Sequence, residues 1–327
     1  MFEIRTWRAA CAIALLVAQS PLAAQAEDAV LKLATQTSGT VNWELSTITS
    51  QGLDKANGFS LEVQDVAAGP AAQIAFQGGA VDVIVSDWLW VARQRSEGRD
   101  FVFIPYSKAV GALYVPKDSK AATLADLKGG KIGIAGGPVD KSWLILRAYA
   151  KQAYGMDLAG ETEQVFGAPP LIFQTAMDGQ LDGAINFWHF GAKMEAGGMR
   201  PLISVTEAAE KMGLDPATPL LGYVVHGEML RDHPELVAGL AKASRAAKVI
   251  LQSDDAAWDA LRPQMNAKTD AQFQALKAGF RAGIPAEGPV DEAAAAKMLE
   301  IMASLGGEEL VGKMSDLPSG TFYAPAS

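Results

Sequence analysis

Residues 61–85 read LEVQDVAAGPAAQIAFQGGAVDVIV, and this stretch contains one complete strand–helix–strand unit. Polar and apolar residues alternate over residues 61–66, which is typical of a strand with one exposed face. Gly69-Pro70 then turns the chain into a short helix that Gly78-Gly79 ends. The apolar residues 81–85 form the second strand. Strands joined by helices of this length favour a parallel sheet that is covered by helices on both faces.

The same alternation of strands and helices continues on either side of this unit. Upstream, a strand over residues 30–34 precedes a helix over 41–56, and downstream the segments 101–104 and 111–115 are two further strands. After the turn at residues 116–119 the pattern starts again. The chain therefore contains two α/β units rather than one.

This order predicts two lobes connected by two crossings of the chain, which creates a hinge and a cleft between the lobes. The expected segments are a signal peptide over residues 1–26, the first part of lobe one over 27–117, lobe two over 118–220, and the return of lobe one with the C-terminal helices over 221–327.

The N-terminus has the features of a secretory signal peptide. Arg5 and Arg8 precede an apolar run from Ala9 to Ala18, and Ala24-Gln25-Ala26 supplies a cleavage site. The run is too short to span a membrane. Cys11 is the only cysteine and lies inside this segment, so the exported chain is expected to carry no disulfide, no thiol nucleophile and no lipid anchor. The sequence thus predicts a periplasmic protein.

Charge and motif content narrow the class of partner. The 327 residues carry a formal net charge of −9, which disfavours nucleic acid and anionic lipid as partners. His189, His226 and His233 lack the spacing of a metal or catalytic cluster, and no nucleotide or nucleophile motif is present. We expect a monomer with no cofactor, no metal and no catalytic residue.

Three motifs carry a resemblance to a known family. The sequence contains GGAVDV at residues 78–83, LADLKGGKIGI at 124–134 and HPELV at 233–237. These motifs resemble the substrate-binding proteins of ABC importers for nitrate, sulfonates and taurine, the SsuA/THI5-like and NMT1-like group, over nearly the whole exported chain. The resemblance implies a type II periplasmic binding protein fold, in which each lobe has a mixed, mainly parallel sheet flanked by helices. It also implies a small-molecule ligand in the interlobe cleft and an inner-membrane ABC permease as partner.

The resemblance further implies that the ligand-binding residues lie on loops that follow the strands of both lobes. Hydroxyl groups and free backbone N–H groups on such loops suit an anionic group. Helix capping by Ser38 or Thr40, and a plain turn at Gly69-Pro70, are the alternatives. The predicted ligand-binding residues are Thr37, Ser38, Trp43, Gly69, Pro70, Ser86, Asp87, Trp88, Pro138, Asp140, Lys141, Ser142, Trp143, Asn186 and Trp188.

Four of these residues are tryptophans on predicted loops, namely Trp43, Trp88, Trp143 and Trp188. Together they suggest an aromatic pocket for flat rings, alkyl chains or quaternary ammonium groups, with core filling as the alternative for any one of them. His189 is expected to be a surface or internally satisfied histidine.

The charged residues near these loops leave the ligand's charge open. Lys141 is the basic candidate for an anionic ligand, whereas Glu44 and Asp87 would repel one. The ligand can therefore be sulfonate- or taurine-like, or an uncharged aromatic or alkyl compound.

Two other functional classes remain open. An enzyme of the same fold, of the thiamine-pyrimidine or menaquinone type, is the first, but the pyrimidine synthases carry a cysteine-rich iron-binding segment that the exported chain lacks. A periplasmic accessory protein that holds a cofactor or a partner protein is the second.

Overall fold

The computed structural model describes residues 29–67 and 69–324. The predicted signal peptide over residues 1–26 lies outside the described residues.

The described residues form an α/β protein with strands and helices in regular alternation. The strands are β1 (Ala29–Gln36), β2 (Phe59–Val66), β3 (Val83–Asp87), β4 (Phe101–Ser107), β5 (Ala112–Val115), β6 (Lys131–Ala135), β7 (Glu163–Gly167), β8 (Gly183–Asn186), β9 (Arg200–Ser204) and β10 (Leu221–His226). The helices are α1 (Val41–Ser50), α2 (Leu53–Ala56), α3 (Gly69–Gln77), α4 (Trp88–Ser96), α5 (Lys141–Tyr154), α6 (Pro169–Met177), α7 (Trp188–Ala196), α8 (Val205–Lys211), α9 (Gly227–Asp232), α10 (Pro234–Ser253), α11 (Asp255–Leu261), α12 (Asp270–Ala282) and α13 (Glu292–Val311), with short 3₁₀ turns at Leu124–Leu127 and Arg262–Met265.

The strands form two five-stranded sheets with equivalent architecture. The first sheet has the order β2-β1-β3-β10-β4 and the second has the order β7-β6-β8-β5-β9. In the first sheet β10 runs antiparallel to β3 and β4, and in the second β5 runs antiparallel to β8 and β9. The other strands of each sheet share one direction. The predicted α/β fold with two mixed, mainly parallel sheets is confirmed.

Each sheet contains an equivalent contact between an aspartate and the backbone of its first strand. The carboxylate of Asp82, just before β3, accepts a hydrogen bond from the backbone N–H of Lys32 at 2.8 Å. The carboxylate of Asp182, just before β8, accepts the equivalent bond from Lys131, also at 2.8 Å. Each aspartate fixes the start of the third strand beside the first, because it satisfies an N–H group at the edge of the ladder.

The first crossing between the sheets lies earlier than the sequence analysis placed it. The sequence pattern predicts residues 111–115 in the first lobe, which ends at residue 117 in that prediction, but β5 pairs with β8 and β9 in the second sheet. The chain therefore leaves the first sheet between Ser107 and Ala112. A short apolar strand does not encode which sheet it will join, because that choice depends on long-range pairing.

The hydrophobic core continues from one sheet layer to the other. One cluster of buried side chains contains Trp88 and Phe103 beside the first sheet together with Ile132 and Trp143 beside the second. Helix α13 packs against both α4 and α5, so this C-terminal helix contacts both layers. None of the helices within residues 29–67 and 69–324 is both long and apolar enough to cross a bilayer.

Candidate functional site

The carboxyl-terminal edges of the two sheets meet at a pair of helix N-termini. Helix α4 follows β3 in the first sheet, and α5 follows the loop after β6 in the second. The amine of Lys141, the first residue of α5, lies 2.9 Å from the Oδ2 atom of Asp87, the last residue of β3. This ion pair shows that two of the predicted binding loops, one from each sheet, lie in contact.

Each of these helix N-termini is capped by its own aspartate. The Oδ1 atom of Asp87 accepts a hydrogen bond from the backbone N–H of Trp90 at 2.9 Å, and the Oδ1 atom of Asp140 accepts one from Trp143 at 3.0 Å. Aspartate is a preferred N-cap residue because its carboxylate satisfies an N–H group that has no partner within the helix. The predicted residues Asp87, Asp140 and Lys141 therefore form one charged cluster.

The electrostatics of this cluster follow from burial and proximity. Burial raises the pKa of Asp140, and the nearby Asp87 carboxylate raises it further. The N–H groups of Trp143 and Ser142 and the charge of Lys141 lower it, but burial outweighs them. Burial opposes the charged form of Lys141, yet Asp87 and Asp140 together outweigh it and raise the pKa of Lys141. Lys141 is therefore a charged amine whose charge is already matched within the protein. Pro138 is exposed on the same loop.

The loop after β1 presents Thr37 and Ser38 as exposed residues. The backbone N–H of Thr37 donates to the carbonyl oxygen of Val66 at 3.1 Å, and the amide of Asn42 donates to the carbonyl of Gln36 at 3.0 Å. Thr40 occupies the N-cap position of α1 without a side-chain capping bond. The hydroxyl of Ser38 is thus not used as a helix cap.

Gly69 and Pro70 at the start of α3 lie close to the end of β1, and Ser86 in β3 contacts the same helix. Gly69 and Pro70 are the first residues of α3, and a Cβ atom on Gly69 would lie 3.3 Å from the side-chain amide nitrogen of Gln36. The buried hydroxyl of Ser86 accepts a hydrogen bond from Gln73 at 3.3 Å. The close approach of the turn to the end of β1 gives Gly69 a packing role.

The side-chain nitrogen and oxygen of Asn186 both make hydrogen bonds within the protein. It is buried at the end of β8, its amide donates to the carbonyl of Pro169 at 2.9 Å, and its Oδ1 atom accepts from the N–H of Phe187 at 2.8 Å. Its position matches the predicted loop, but its polar atoms hold the starts of α6 and α7 in place.

The prediction that the four tryptophans lie on loops is wrong. Trp88 and Trp188 begin α4 and α7, and Trp43 and Trp143 lie in the first turns of α1 and α5. Trp88 and Trp143 are buried in the shared core, which favours the core-filling interpretation for these two. The large apolar surfaces of these two rings fill the core shared by the two sheet layers.

Trp43 and Trp188 form a separate aromatic contact between elements that follow β1 and β8. Their ring centroids lie 6.0 Å apart with perpendicular planes. Trp43 also meets Trp258 at 5.9 Å, and Trp188 packs so closely on α12 that a Cβ atom on Gly279 would lie 2.7 Å from its ring. Edge-to-face packing of this kind stabilises a fixed arrangement of the helices.

A cavity of about 750 Å³ opens beside Thr37 and Ser38. It is lined by the loop after β1 and by α1 and β2 from the first sheet, by α6 and α7 from the second, and by the 3₁₀ turn at 262–265 and α12 from the C-terminal region. Its volume lies in the usual range for small-molecule sites. Trp43 is the one predicted tryptophan on its wall, and the Asp87–Lys141 cluster is not part of its lining.

Two cavity residues that the sequence analysis did not assign to the site are His189 and Lys193. Burial, reinforced by Lys193, lowers the pKa of His189 to about 3, so this histidine is neutral at neutral pH. Burial, reinforced by Lys268, lowers the pKa of Lys193. Among the described residues Lys193 makes no ion pair, although its amine lies 5.7 Å from the centre of the Phe190 ring. The four-residue spacing of His189 and Lys193 after the predicted loop was the available signal, because such residues share one helix face.

Glu44 does not face the ligand region, in contrast to the prediction. It is fully buried, and its carboxylate lies 2.6 Å from the amine of Lys248. The hydroxyls of Tyr223 and Ser244 donate to the same carboxylate at 2.8 and 2.6 Å. Glu44 thus belongs to a structural polar cluster between α1, α10 and β10, and it does not repel an anionic ligand.

The three histidines occupy unrelated positions. His189 lines the cavity, His226 stacks on Phe76 with ring centroids 4.1 Å apart, and the exposed His233 lies beside Glu235. A second cavity, of about 650 Å³, lies on the other side of α7 between the first crossing, α8 and α12.

Comparison with known proteins identifies the family. A family model described as NMT1/THI5 like matches residues 37–257. The chain belongs to this NMT1/THI5-like family, and the resemblance predicted from the sequence motifs is confirmed. No curated protein sequence matches the chain.

Solved structures show the fold. The periplasmic aliphatic sulphonate binding protein SsuA from Escherichia coli superposes with a TM-score of 0.69 and 18% identity over 87% of this chain and 94% of that one. The ligand-binding component of an ABC-type import system from Staphylococcus aureus, with zinc bound, superposes with a TM-score of 0.66 and 14% identity. The match covers 91% of this chain and 97% of that one. A mutant of DSZB in complex with biphenyl-2-sulfinic acid superposes with a TM-score of 0.60 and 16% identity. The match covers 91% of this chain and 97% of that one. The chain thus has the periplasmic binding protein fold that the motifs implied.

Proposed function

We propose that this chain is the solute-binding component of an ABC importer. It is exported through a cleaved signal peptide, binds a small organic molecule in the periplasm and delivers it to an inner-membrane permease. The observation that carries this proposal is the cavity of about 750 Å³, which is lined by elements of both sheets. Similarity to the import-system component and to SsuA supports the same role.

The two sheets, with the helices that cover them, serve as the two lobes in this proposal. The connections between β4 and β5 and between β9 and β10 are the crossings about which the lobes close. The solute lies between the loop after β1 and the first turns of α7, with Thr37, Ser38 and Trp43 on one side and His189 and Lys193 on the other. The protein works as a monomer, because one chain supplies both walls.

We propose binding rather than catalysis for this site. The neutral His189 lines the cavity, whereas His226 stacks on Phe76 and the exposed His233 lies beside Glu235. The charged cluster at Asp87, Asp140 and Lys141 is held by helix capping and ion pairing, which fixes structure rather than supplying a mobile proton.

The proposal is tested on protein purified from its native periplasm. Denaturation should release one small organic compound that mass spectrometry identifies, and a strain without the gene should lose uptake of that compound until the gene is restored. A released compound whose uptake does not depend on the gene would indicate an accessory role instead. Conversion of the compound by the purified protein would indicate an enzyme.

A further inference from the structure

Lys193 lines the cavity of about 750 Å³ and has no carboxylate that neutralises it. The side chain is half-buried on α7, and its amine lies 5.7 Å from the centre of the Phe190 ring. No aspartate or glutamate in the part of the chain that the structure describes lies within ion-pair distance of it. A half-buried charge without a counter-ion is unfavourable, because burial removes part of its hydration.

The equivalent position in the first sheet layer carries a cation that is neutralised. Helix α4 follows β3 and helix α7 follows β8, and each of these strands is the central strand of its sheet. Arg93 occupies in α4 the position that Lys193 occupies in α7, and it pairs with Glu97, four residues later, at 3.2 Å. Four residues after Lys193 the chain has Gly197. Helix α7 therefore supplies no carboxylate at the position where α4 has one.

Two neighbouring side chains favour an anion at the same place. Burial and the charge of Lys268, which precedes α12, lower the pKa of Lys193, because both oppose its charged form. The Nε2 atom of His189, one helical turn before Lys193, is buried without a hydrogen-bond partner among residues 29–67 and 69–324. An anion beside Lys193 would offset the repulsion between the two amines, and the neutral imidazole can donate a further hydrogen bond to it.

The rest of the cavity wall suits an apolar molecule. Trp43, Leu61, Val63 and Leu276 contribute apolar surface to the lining. Asp65 is the one carboxylate among the lining residues, and it lies exposed on β2 in the first sheet, whereas Lys193 belongs to the second layer. The cavity thus combines one uncompensated amine on α7 with a largely apolar opposite wall.

We propose that Lys193 is a specificity-determining residue that binds the acidic group, a carboxylate or a sulfonate, of a solute whose apolar body packs against Trp43. This inference rests on the proposed function, because it names the class of solute that the cavity selects. The role does not fall to Lys141, the basic candidate from the sequence, because Lys141 pairs with Asp87 and lines neither cavity.

The test is a set of calorimetric titrations on protein that has been emptied by unfolding and refolding. The probes are hexanoate, 1-hexanesulfonate and the neutral 1-hexanol, which share one alkyl chain. At least one acid should bind about tenfold or more tightly than hexanol, and the better acid identifies the group that the site prefers. Lys193→Gln should weaken acid binding by about tenfold or more and leave hexanol binding unchanged, since one charge-assisted contact is worth that much. Lys193→Arg should retain most of the acid affinity.

Lys151→Gln is the matched control for net charge. Lys151 is exposed on α5, lies outside the cavity lining and also makes no ion pair within the described ranges, so its loss should not change any affinity. Circular dichroism verifies that each variant is folded.

Three results would overturn the proposal. They are acid binding that is no tighter than hexanol binding or is absent at millimolar concentration, acid affinity that survives in Lys193→Gln, and equal loss of acid and hexanol binding in that variant, which would indicate a structural role. The outcome is separable from the importer assignment, because the titrations require neither the native solute nor the permease. An importer of a neutral solute would keep the proposed function and contradict this inference.

Discussion

Lys141 and Asp87 join the two sheet layers through an ion pair of 2.9 Å, although they are 54 positions apart in the chain. Asp87 ends β3 of the first sheet, and Lys141 begins α5, the helix that follows β6 of the second sheet. The pair lies where the predicted binding loops meet. It gives the interlobe region a fixed electrostatic contact that does not depend on a bound solute.

Loss of this contact should weaken the fold measurably. Lys141→Gln leaves the mostly buried Asp87 carboxylate without its partner, and we expect the free energy of unfolding to fall by about 1–3 kcal/mol, as for other uncompensated buried polar groups. Urea denaturation measures this change. Lys131→Gln is the control, because Lys131 pairs with Glu163 at the exposed edge of the second sheet and should have no measurable effect. Equal stability of Lys141→Gln and wild type would show that the pair is not maintained in solution.

Tryptophan replacements should separate core from cavity positions. Trp88→Ala removes a fully buried ring and should lower the free energy of unfolding by about 3–5 kcal/mol. Trp88→Phe should cost clearly less, because most of the apolar volume remains. Solute binding should change the fluorescence of Trp43, which lines the cavity, more than that of Trp88. A fluorescence response that disappears in Trp88→Phe and persists in Trp43→Phe would contradict this assignment.

The Glu44–Lys248 pair should behave as a buried structural ion pair. Removal of one partner, as in Lys248→Met, should destabilise the protein by about 3–5 kcal/mol, because the Glu44 carboxylate remains buried without its counter-charge. The double variant Glu44→Gln with Lys248→Met should recover much of that loss. Lys211→Gln, at an exposed pair with Glu207, serves as the control and should leave stability unchanged. A double variant as unstable as Lys248→Met alone would argue against direct coupling.

The alternation of strands and helices was sufficient to predict the α/β fold, because hydrophobic periodicity and Gly-Pro or Gly-Gly turns are local properties. The sheet that β5 joins is not determined by local sequence. Residues 112–115 are a strand in any interpretation, but the pairing of β5 with β8 and β9 depends on residues about 70 to 90 positions away.

The candidate site was predictable at the level of loops and less so at the level of side chains. Thr37 and Ser38 lie on the loop after β1 and line the cavity, and Asp87 and Lys141 meet where the two sheet layers join, while their role in ligand binding stays a prediction. Glu44 was misassigned because its partner Lys248 comes from a distant helix, and a sequence gives no sign of such pairing. Trp88 and Trp143 are buried in the core, whereas Trp43 lines the cavity, a difference that the sequence does not show because position at a helix start does not reveal which face a large side chain buries.

Acid should destabilise the protein partly through His189. The unfolded chain takes up a proton at this residue near its ordinary pKa of 6.5, whereas the folded chain does so only near pH 3. The unfolded state therefore binds more protons between these values, and the free energy of unfolding falls as the pH falls through this window, by at most about 1.4 kcal/mol per pH unit. Thermal melts of His189→Asn should show a shallower decline between pH 7 and pH 4. His233→Asn, at an exposed position, should keep the wild-type slope, and a wild-type slope in His189→Asn would contradict the neutral, buried state of His189.

Hydrogen–deuterium exchange is the most direct test of whether one solute contacts elements of both sheets. The protein is emptied by unfolding and refolding, and the compound released from the periplasmic protein is then returned to it. We expect slower amide exchange in residues 37–43 and in residues 188–193 together, because these segments form opposite walls of the cavity. Protection of one segment alone, or protection confined to residues 275–283 beside the second cavity, would contradict solute binding between the two sheets.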